Sequence, residues 1–260
     1  MARVTRVALV TGAARGIGAA TVRALADDGW HVVATDRCAD DPRLSYGLGT
    51  RDELEALRSD VVLPIVADAC DPAALRAAVA QAEERFGGLD AALAVAGVVA
   101  GGVPLWEQDD DAVQAVLDVD LTAVLHLARA AVPALLRRPA PRSGRFLAVA
   151  SAAATRGLPM LAAYCAAKAG VAGLVRALAV ELGPHGITAN AVSPGSTDTL
   201  VLAESARLYG LASSQDFAAQ QPLGRLLAPQ EVARSLVWLA GEGSGAVTGA
   251  VVPVDGGLAL

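Results

Sequence analysis

The sequence predicts an α/β fold, a doubly wound parallel sheet with helices on both faces. Short valine-rich apolar runs alternate along the chain with longer alanine-rich stretches. The short runs are apolar throughout, as strands buried on both faces are. A glycine-rich turn at residues 12–18 joins the first apolar run to the first helical stretch, as in nucleotide-binding folds of this class.

The elements follow each other in strict order. The runs that predict strands are RVALVTG, HVVATD, VLPIVAD, LDAALAVAG, GRFLAVAS, GITANAVSPG and AVVPVDGG. The stretches that predict helices are 18–29, 51–60, 72–87, 109–136, 159–182 and 231–241. No repeat or low-complexity linker divides them, so we predict a single domain over residues 1–260.

Three stretches lack a regular pattern: residues 37–50, 137–144 and 196–222. We predict that the first two are surface loops. The third is long enough to be a substrate lid. It combines leucine and valine with Tyr209 and Phe217 and has few charges, which favours a moderately apolar substrate, such as a terpenoid, steroid or polyketide-like alcohol.

Composition excludes several classes of protein. Hydrophobic residues make up 54% of the chain, charged residues 18%, and the net charge is −6, which argues against nucleic-acid binding. Cys38, Cys70 and Cys165 are odd in number and lack metal-ligand spacing. They fit a reducing, cytoplasmic location and predict no metal site. No segment has about 18 consecutive uncharged apolar residues without a glycine or a proline, so no membrane span is predicted.

A dinucleotide site is predicted at the first strand. Gly12, Gly16 and Gly18 follow that strand and open a helix. Glycine permits the close approach that a pyrophosphate needs, and a helix N-terminus offers free N–H groups. Asp36 ends the second strand about twenty residues later, where a carboxylate accepts hydrogen bonds from ribose hydroxyls and favours NAD. The guanidinium of Arg37 could hold a 2′-phosphate, so NADP is the alternative.

Tyr164 and Lys168 stand four residues apart in the apolar stretch LAAYCAAKAGVAGLV. On a helix this spacing places both side chains on one face, with Cβ atoms about 5 to 6 Å apart. A charge about 5 Å from the phenol contributes roughly 3 kcal/mol at an effective dielectric constant of about 20, which would lower the tyrosine pKa by about two units. The pair would then suit proton transfer. The alternative is a core ring beside a lysine that reaches solvent.

Over essentially its full length the chain resembles the short-chain dehydrogenase/reductase family, whose fold is Rossmann-like. The matching pieces are TGAARGIG, Asp68 after the third strand, AVAG at 94–97, Ser151, YCAAK at 164–168, SPGSTDT at 193–199 and VTGAVVPVDGG near the end. Tyr164 is the thirteenth residue after Ser151. The order and spacing of so many pieces make a chance match very improbable.

The resemblance implies reversible hydride transfer between NAD and a secondary alcohol or ketone. It implies that Tyr164 is the general acid/base, that Lys168 lowers its pKa and binds the nicotinamide ribose, and that Ser151 hydrogen-bonds the reacting oxygen. It also implies a homotetramer formed through the helices that carry Asp120 and Tyr164. The implied cofactor-binding residues are Gly12, Arg15, Gly16, Ile17, Gly18, Asp36, Arg37, Asp68, Ala69, Ala94, Ala96, Gly97, Tyr164, Lys168, Pro194, Gly195, Thr197 and Thr199.

Two positions depart from the family pattern. Asp120 stands where the family has an asparagine, the fourth catalytic residue, which supports a proton-relaying water. A carboxylate about 7 Å from Tyr164 would disfavour ionisation of the phenol by roughly 2.4 kcal/mol at a dielectric constant of about 20, and so would oppose the effect of the lysine. Either burial protonates Asp120, or the enzyme works at higher pH, or it is impaired. Ala94 replaces a second asparagine, which costs hydrogen bonds in the turn.

A closer resemblance concerns the connection after the second strand. The stretch DRCADDPRLSYGLGTRDELEAL lengthens this connection, and with ARLYGL and GRLLAPQEVA it resembles the mycofactocin-associated subfamily. That resemblance implies NAD that does not exchange freely and mycofactocin as electron acceptor. A loop folded over the adenine end would slow release. The alternatives are a carbonyl reductase of secondary metabolism with freely exchanging NAD(P)H, and a nucleotide-binding regulatory protein without turnover.

Overall fold

The computed structural model describes residues 5–260, in which seven parallel strands form one sheet. The strands are β1 (Val7–Thr11), β2 (His31–Asp36), β3 (Val62–Val66), β4 (Ala91–Ala94), β5 (Arg145–Val149), β6 (Thr188–Pro194) and β7 (Val251–Val254). Their order in the sheet is β3-β2-β1-β4-β5-β6-β7. The order reverses between β1 and β4, and this reversal opens a crevice at the carboxyl edge. The predicted fold class is confirmed.

Eight α-helices are present among residues 5–260. They are α1 (Gly16–Asp27), α2 (Arg51–Glu55), α3 (Pro72–Phe86), α4 (Asp110–Leu117), α5 (Ala123–Arg137), α6 (Ala162–Leu182), α7 (Leu200–Leu208) and α8 (Pro229–Ala240). Helix α6 begins three residues later than predicted, because Met160 has a φ of +61°, outside the right-handed helical region. Helix α2 also ends earlier than its predicted limit, at Glu55.

The segment predicted as an irregular lid is largely helical. Residues 196–222 contain α7 and a 3₁₀ helix, Ser214–Gln220. The side chain of Thr199 accepts a hydrogen bond at the start of α7, and Ser213 does the same for the 3₁₀ helix. Each cap satisfies a backbone N–H that the first turn leaves unpaired. The expectation of irregular structure there was wrong because Thr199 and Ser213 each start a helical segment.

The predicted long helix over 109–136 is present but interrupted. Between α4 and α5 the chain forms a π-helical turn, Asp118–Thr122, at whose centre lies Asp120. Such turns insert one extra residue into a helix and occur often at functional sites. Here the turn contacts α6, so Asp120 faces the helix that carries the tyrosine and lysine.

Successive residues of each strand contribute to opposite layers of the core. On one face Leu9 and Phe146 belong to a cluster that α3, α5 and α6 cover. On the other face Val10 and Leu147 belong to a cluster that α1 and α8 cover. This alternation follows from the twofold side-chain period of a strand.

Two helical segments are long and apolar enough to cross a bilayer, Asp110–Arg137 and Ala162–His185. About half of each apolar window is buried inside the fold, 50% and 44% respectively. Length and composition are therefore explained by packing on the sheet, as for the core helices of α/β domains.

Candidate active site

The predicted site residues converge on a cleft of about 620 Å³ at the carboxyl edge of the sheet. Ser151 and every predicted cofactor residue except Ala94 line it. Ala94 is instead the buried last residue of β4. In the turn after it, the hydroxyl oxygen of Thr11 accepts hydrogen bonds from the N–H groups of Val95 and Ala96, at 3.2 and 3.3 Å.

The glycine turn brings the backbone very close to its neighbours. A Cβ on Gly12, whose φ is +66°, would lie 2.5 Å from the Cα of Ala96, and one on Gly18 would lie 1.9 Å from the carbonyl oxygen of Gly12. The residue before α1, Arg15, does not cap the helix with its side chain, and the first turn holds no acidic residue. The N–H groups there can therefore hold an anion such as a pyrophosphate.

The end of β2 carries a fixed carboxylate. Asp36 accepts hydrogen bonds from the N–H groups of Ala14 and Cys38, each at 3.1 Å. The neighbouring Arg37 is committed to two other carboxylates: it pairs with Asp41 at 3.0 Å, and its Nε lies 3.7 Å from Asp68. This guanidinium, which could have held a 2′-phosphate, is therefore already paired.

Ser151, Tyr164 and Lys168 all line the cleft. Ser151 follows β5 and caps a short 3₁₀ helix, where its Oγ accepts a hydrogen bond from the N–H of Ala153 at 3.1 Å. Ser151 therefore both caps this 3₁₀ helix and lines the cleft. On α6, the Nζ of Lys168 lies 5.6 Å from the centre of the Tyr164 ring and donates to the carbonyl oxygen of Val149 at 3.1 Å.

Asp120 forms an ion pair with Lys168, with 2.7 Å between Oδ1 and Nζ. The Asp120 side chain is fully buried behind the lysine and does not line the cleft. Its carboxylate also faces the N–H of Val98, at 3.3 and 3.4 Å. The sequence predicted a carboxylate about 7 Å from Tyr164, in place of an asparagine that supports a water, and gave no contact between it and Lys168. The structure adds this direct contact.

Burial and pairing act against each other in this ion pair. Burial raises the pKa of Asp120 above its usual value, and the attraction of Lys168 offsets only part of that increase. Burial opposes the charge of Lys168, but Asp120 and Tyr164 outweigh it and raise the pKa of the lysine. The ammonium charge is therefore well retained.

The pKa of Tyr164 lies above its ordinary value, contrary to the prediction from spacing alone. Burial of the phenol is the largest cause; Lys168 and then Ser151 lower the pKa, whereas Asp120 raises it. The prediction considered only the lysine in a high effective dielectric. The predicted fall of the tyrosine pKa was wrong because desolvation and the charge of Asp120 both favour the neutral phenol.

Residues 37–50, which we call the strap, form an irregular loop that is exposed at several positions, as a surface loop predicts, while another part of it borders the cleft. Residues 46–49 line the cleft, and a Cβ on Gly49 would lie 2.8 Å from an oxygen of Asp36. Leu44 and Leu48 pack against the apolar cluster that includes Val98 and Tyr164. Sequence reasoning missed Tyr46 as a cleft residue. The signal was available, since a tyrosine and two leucines are unusual in a solvated loop.

The other half of the cleft is mostly apolar and is lined in part by residues 196–222, the segment that the sequence predicts as a lid. Tyr209 donates its hydroxyl hydrogen to the carbonyl oxygen of Pro159 at 2.7 Å and meets the ring of Phe217 edge-on, with 6.0 Å between centroids. The aliphatic residues of this wall are Leu158, Leu161, Leu200, Val201, Leu202, Leu211 and Leu258. Across residues 5–260, no cluster of three or more His, Cys, Asp or Glu side chains is arranged to hold a metal ion.

Comparison with known proteins gives the family. A family model for short-chain dehydrogenases, described as Enoyl-(Acyl carrier protein) reductase, matches residues 12–259. The chain is 40% identical over 256 residues to the cis-4-hydroxycyclohexanecarboxylate dehydrogenase of Sinomonas cyclohexanicum, covering 97% of this chain and 96% of that protein. It is 36% identical to the (-)-trans-carveol dehydrogenase of Rhodococcus erythropolis, with 100% of each chain covered.

Among solved structures, the carveol dehydrogenase of Mycobacterium avium in complex with NAD superposes with a TM-score of 0.91, at 32% identity and with 99% of each chain covered. The chain therefore belongs to the short-chain dehydrogenase/reductase family. This membership confirms the predicted class of enzyme, an oxidoreductase of that family.

Proposed function

We propose that this protein oxidises a secondary alcohol to a ketone, reversibly, with NAD as the redox partner. The observation that carries the proposal is the convergence of Ser151, Tyr164 and Lys168 beside a glycine turn in one cleft. The two relatives named above are dehydrogenases of ring-bearing alcohols by their names. Both points support an alcohol dehydrogenase over a nucleotide-binding protein without turnover.

The residues present fit a dinucleotide. The N–H groups at the start of α1 would hold the pyrophosphate, Asp36 the adenosine ribose, and residues 194–199 the nicotinamide end. A bound NAD would supply the acceptor for the hydride that leaves the carbinol carbon. Because Asp36 is anionic and Arg37 is already paired with Asp41 and Asp68, we propose NAD and not NADP.

The side chains of the chain would handle the proton. In the oxidation direction the ionised Tyr164 accepts the hydroxyl proton of the alcohol, and Ser151 donates a hydrogen bond to the same oxygen. Lys168 keeps a positive charge beside the phenol and so stabilises its ionised form. Asp120 holds the ammonium of Lys168 through their ion pair. Its negative charge also reduces the amount by which the lysine lowers the pKa of Tyr164.

We propose a moderately apolar cyclic alcohol as substrate. The aliphatic wall, Tyr209 and Phe217 offer contact area to a hydrocarbon ring, and Lys168 is already committed to Asp120. A cleft of this kind buries an apolar body and orients it with a few polar groups at the reacting carbon. The ring-bearing substrates in the names of two relatives agree with this choice.

We further propose that the cofactor exchanges slowly and that mycofactocin re-oxidises it. The strap supports this because it is tied to the lid: Ser45 donates to Glu204 on α7 at 2.8 Å, and Arg207 pairs with the same carboxylate at 2.6 Å. A cofactor lying beneath both segments would leave only after these bonds open. Glu204 is buried, whereas its partners Ser45 and Arg207 lie at the surface.

We also propose that the protein is a homotetramer and is located in the cytoplasm. Leu125 on α5 and Val180 on α6 are exposed apolar residues on the helices expected to form the interface, and Trp238 on α8 is half-exposed. The three cysteines are free thiols, in agreement with a reducing compartment. Light scattering during size-exclusion chromatography would give the mass of the assembly, and a monomer would contradict the tetramer.

The test begins with the purified protein and its co-purifying nucleotide. We expect NAD in the preparation, turnover of cyclic secondary alcohols with a dye acceptor, and little formation of free NADH. Rapid accumulation of free NADH would reject slow exchange but not the dehydrogenase. Tyr164→Phe should abolish turnover and keep NAD affinity, whereas the neighbouring control Cys165→Ser should retain both. Turnover by Tyr164→Phe at the wild-type rate would refute the assignment.

A further inference from the structure

The strap touches the framework of the catalytic ion pair at two places on its inner side. The hydroxyl oxygen of Tyr46 accepts a hydrogen bond from the N–H of Val99 at 2.9 Å. The Nη1 of Arg43 lies 2.8 Å from a carboxylate oxygen of Asp118, in the π-helical turn that carries Asp120. The first contact joins the strap to the residue after Val98, whose N–H faces Asp120, and the second joins it to the turn that carries Asp120.

The contact at Tyr46 leads to the ion pair through residues that touch one another in turn. Val98, next to Val99, directs its N–H at the carboxylate of Asp120. Asp120 pairs with Lys168, and Lys168 faces the ring of Tyr164. Every member after the strap is buried or half-buried, so water competes little for these bonds.

The contact at Arg43 fixes the same turn from its other side. Asp118 lies two residues before Asp120 and accepts a further hydrogen bond from Gln114 at 2.7 Å. Arg43 is held in turn by Asp41, with 2.9 Å between Nη2 and the carboxylate. Asp41 is almost completely buried. A buried carboxylate therefore anchors the arginine that anchors the turn.

We propose that the strap positions the Asp120–Lys168 pair, with Tyr46 and Arg43 as positioning residues for the acid/base chemistry of Tyr164. The inference rests on the proposed function, because it assigns a role within that reaction. It goes beyond cofactor retention, since the residues that tie the strap to the lid, Ser45 and Glu204, are different from those that tie it to the ion pair. Retention and acid/base positioning are thus separable by mutation.

Loss of the Tyr46 hydroxyl is expected to lower the pKa of Tyr164. Tyr46→Phe leaves the N–H of Val99 without its acceptor, so the Val98–Val99 backbone loosens against Asp120. A weaker bond from Val98 makes Asp120 easier to protonate, and Lys168 then lowers the pKa of Tyr164 with less opposition. The other titratable groups facing these residues are Cys165 beside Tyr164 and Glu204 near Tyr46. Neither is removed by the substitution.

The experiment measures the pH dependence of single-turnover oxidation of a cyclic secondary alcohol by protein with NAD bound. Single turnover isolates the chemical step from cofactor exchange. We expect Tyr46→Phe and Arg43→Gln each to slow this step several-fold and to move its acid limb to lower pH, by less than Asp120→Asn does. In the Asp120→Asn background, Tyr46→Phe should shift the limb no further, because both act through one carboxylate.

Ser45→Ala is the matched control on the same strap. It should speed NAD release and leave the acid limb at its wild-type pH. A wild-type acid limb in both Tyr46→Phe and Arg43→Gln, or a Tyr46→Phe shift that adds fully to that of Asp120→Asn, would overturn the inference. Failure of the proposed function looks different, since wild-type protein would then show no turnover or Tyr164→Phe would keep it.

Discussion

If Tyr164 acts as we propose, the charge of Asp120 changes the pH at which this site works. Its Oδ1 lies 2.7 Å from the Nζ of Lys168, which lies 5.6 Å from the centre of the Tyr164 ring, so the carboxylate is at most about 8 Å from that ring. At an effective dielectric constant of about 20, a unit charge at this distance contributes roughly 2 kcal/mol. Replacement by asparagine keeps the shape and removes the charge.

Asp120→Asn should therefore lower the pKa of Tyr164 by about 1.5 units. In the oxidation direction the ionised phenol is the active form, so activity rises with pH through this pKa, and a lower pKa moves the acid limb to lower pH. The assay is the single-turnover rate against pH, with Asp111→Asn, an exposed acid on α4, as control. An acid limb unchanged by Asp120→Asn would refute the reasoning and show that the carboxylate is already neutral.

Three further predictions follow from other parts of the cleft. Gly18→Ala should destabilise the fold by about 1–3 kcal/mol or more and weaken NAD binding, because the new Cβ meets the carbonyl of Gly12; a wild-type urea midpoint would contradict this. Asp36→Ser should weaken NAD at least about tenfold and narrow its preference over NADP, as fluorescence titration would measure. The Arg43 and Arg37 side chains hold the pKa of Asp41 well below its usual range, so Asp41 stabilises the strap fully above about pH 4 and loses this effect as pH falls further. Because Asp41 anchors Arg43, Asp41→Asn should act at neutral pH as Arg43→Gln does and move the acid limb of the single-turnover rate to lower pH; an acid limb at its wild-type pH would contradict the role of Asp41.

Local sequence patterns predict most of the fold. The seven strands are buried apolar runs of the kind that a parallel sheet requires, and the capping and glycine signals fix most helix limits within a few residues. The glycine turn, Asp36, Ser151, Tyr164 and Lys168 lie in the predicted cleft because the carboxyl ends of parallel strands share one edge.

The electrostatics of the site could not be predicted in the same way. Spacing along α6 places Tyr164 near Lys168, but it says nothing of the π-helical turn that brings Asp120 against the lysine. Nor does it give the desolvation that raises the pKa of the phenol. Both depend on how α4, α5 and α6 pack, which is a property of the whole fold.

The particular contacts of the strap could not be predicted, for a related reason. Its contacts join residues far apart in sequence: Ser45 with Glu204, Arg43 with Asp118, and Tyr46 with Val99. No local periodicity encodes such pairs. The sequence predicted a surface loop, whereas Tyr46 and Leu48 line the cleft and Leu44 packs against the apolar cluster that includes Val98.

Transfer of deuterium from substrate to cofactor tests the account most directly. A cyclic secondary alcohol labelled at the carbinol carbon is given to protein with NAD bound, and the nucleotide is released and analysed by mass spectrometry. The account predicts one deuterium on the reduced nicotinamide per ketone formed, and no label with Tyr164→Phe. Ketone formed without label on the nicotinamide, or labelling that survives in Tyr164→Phe, would contradict it.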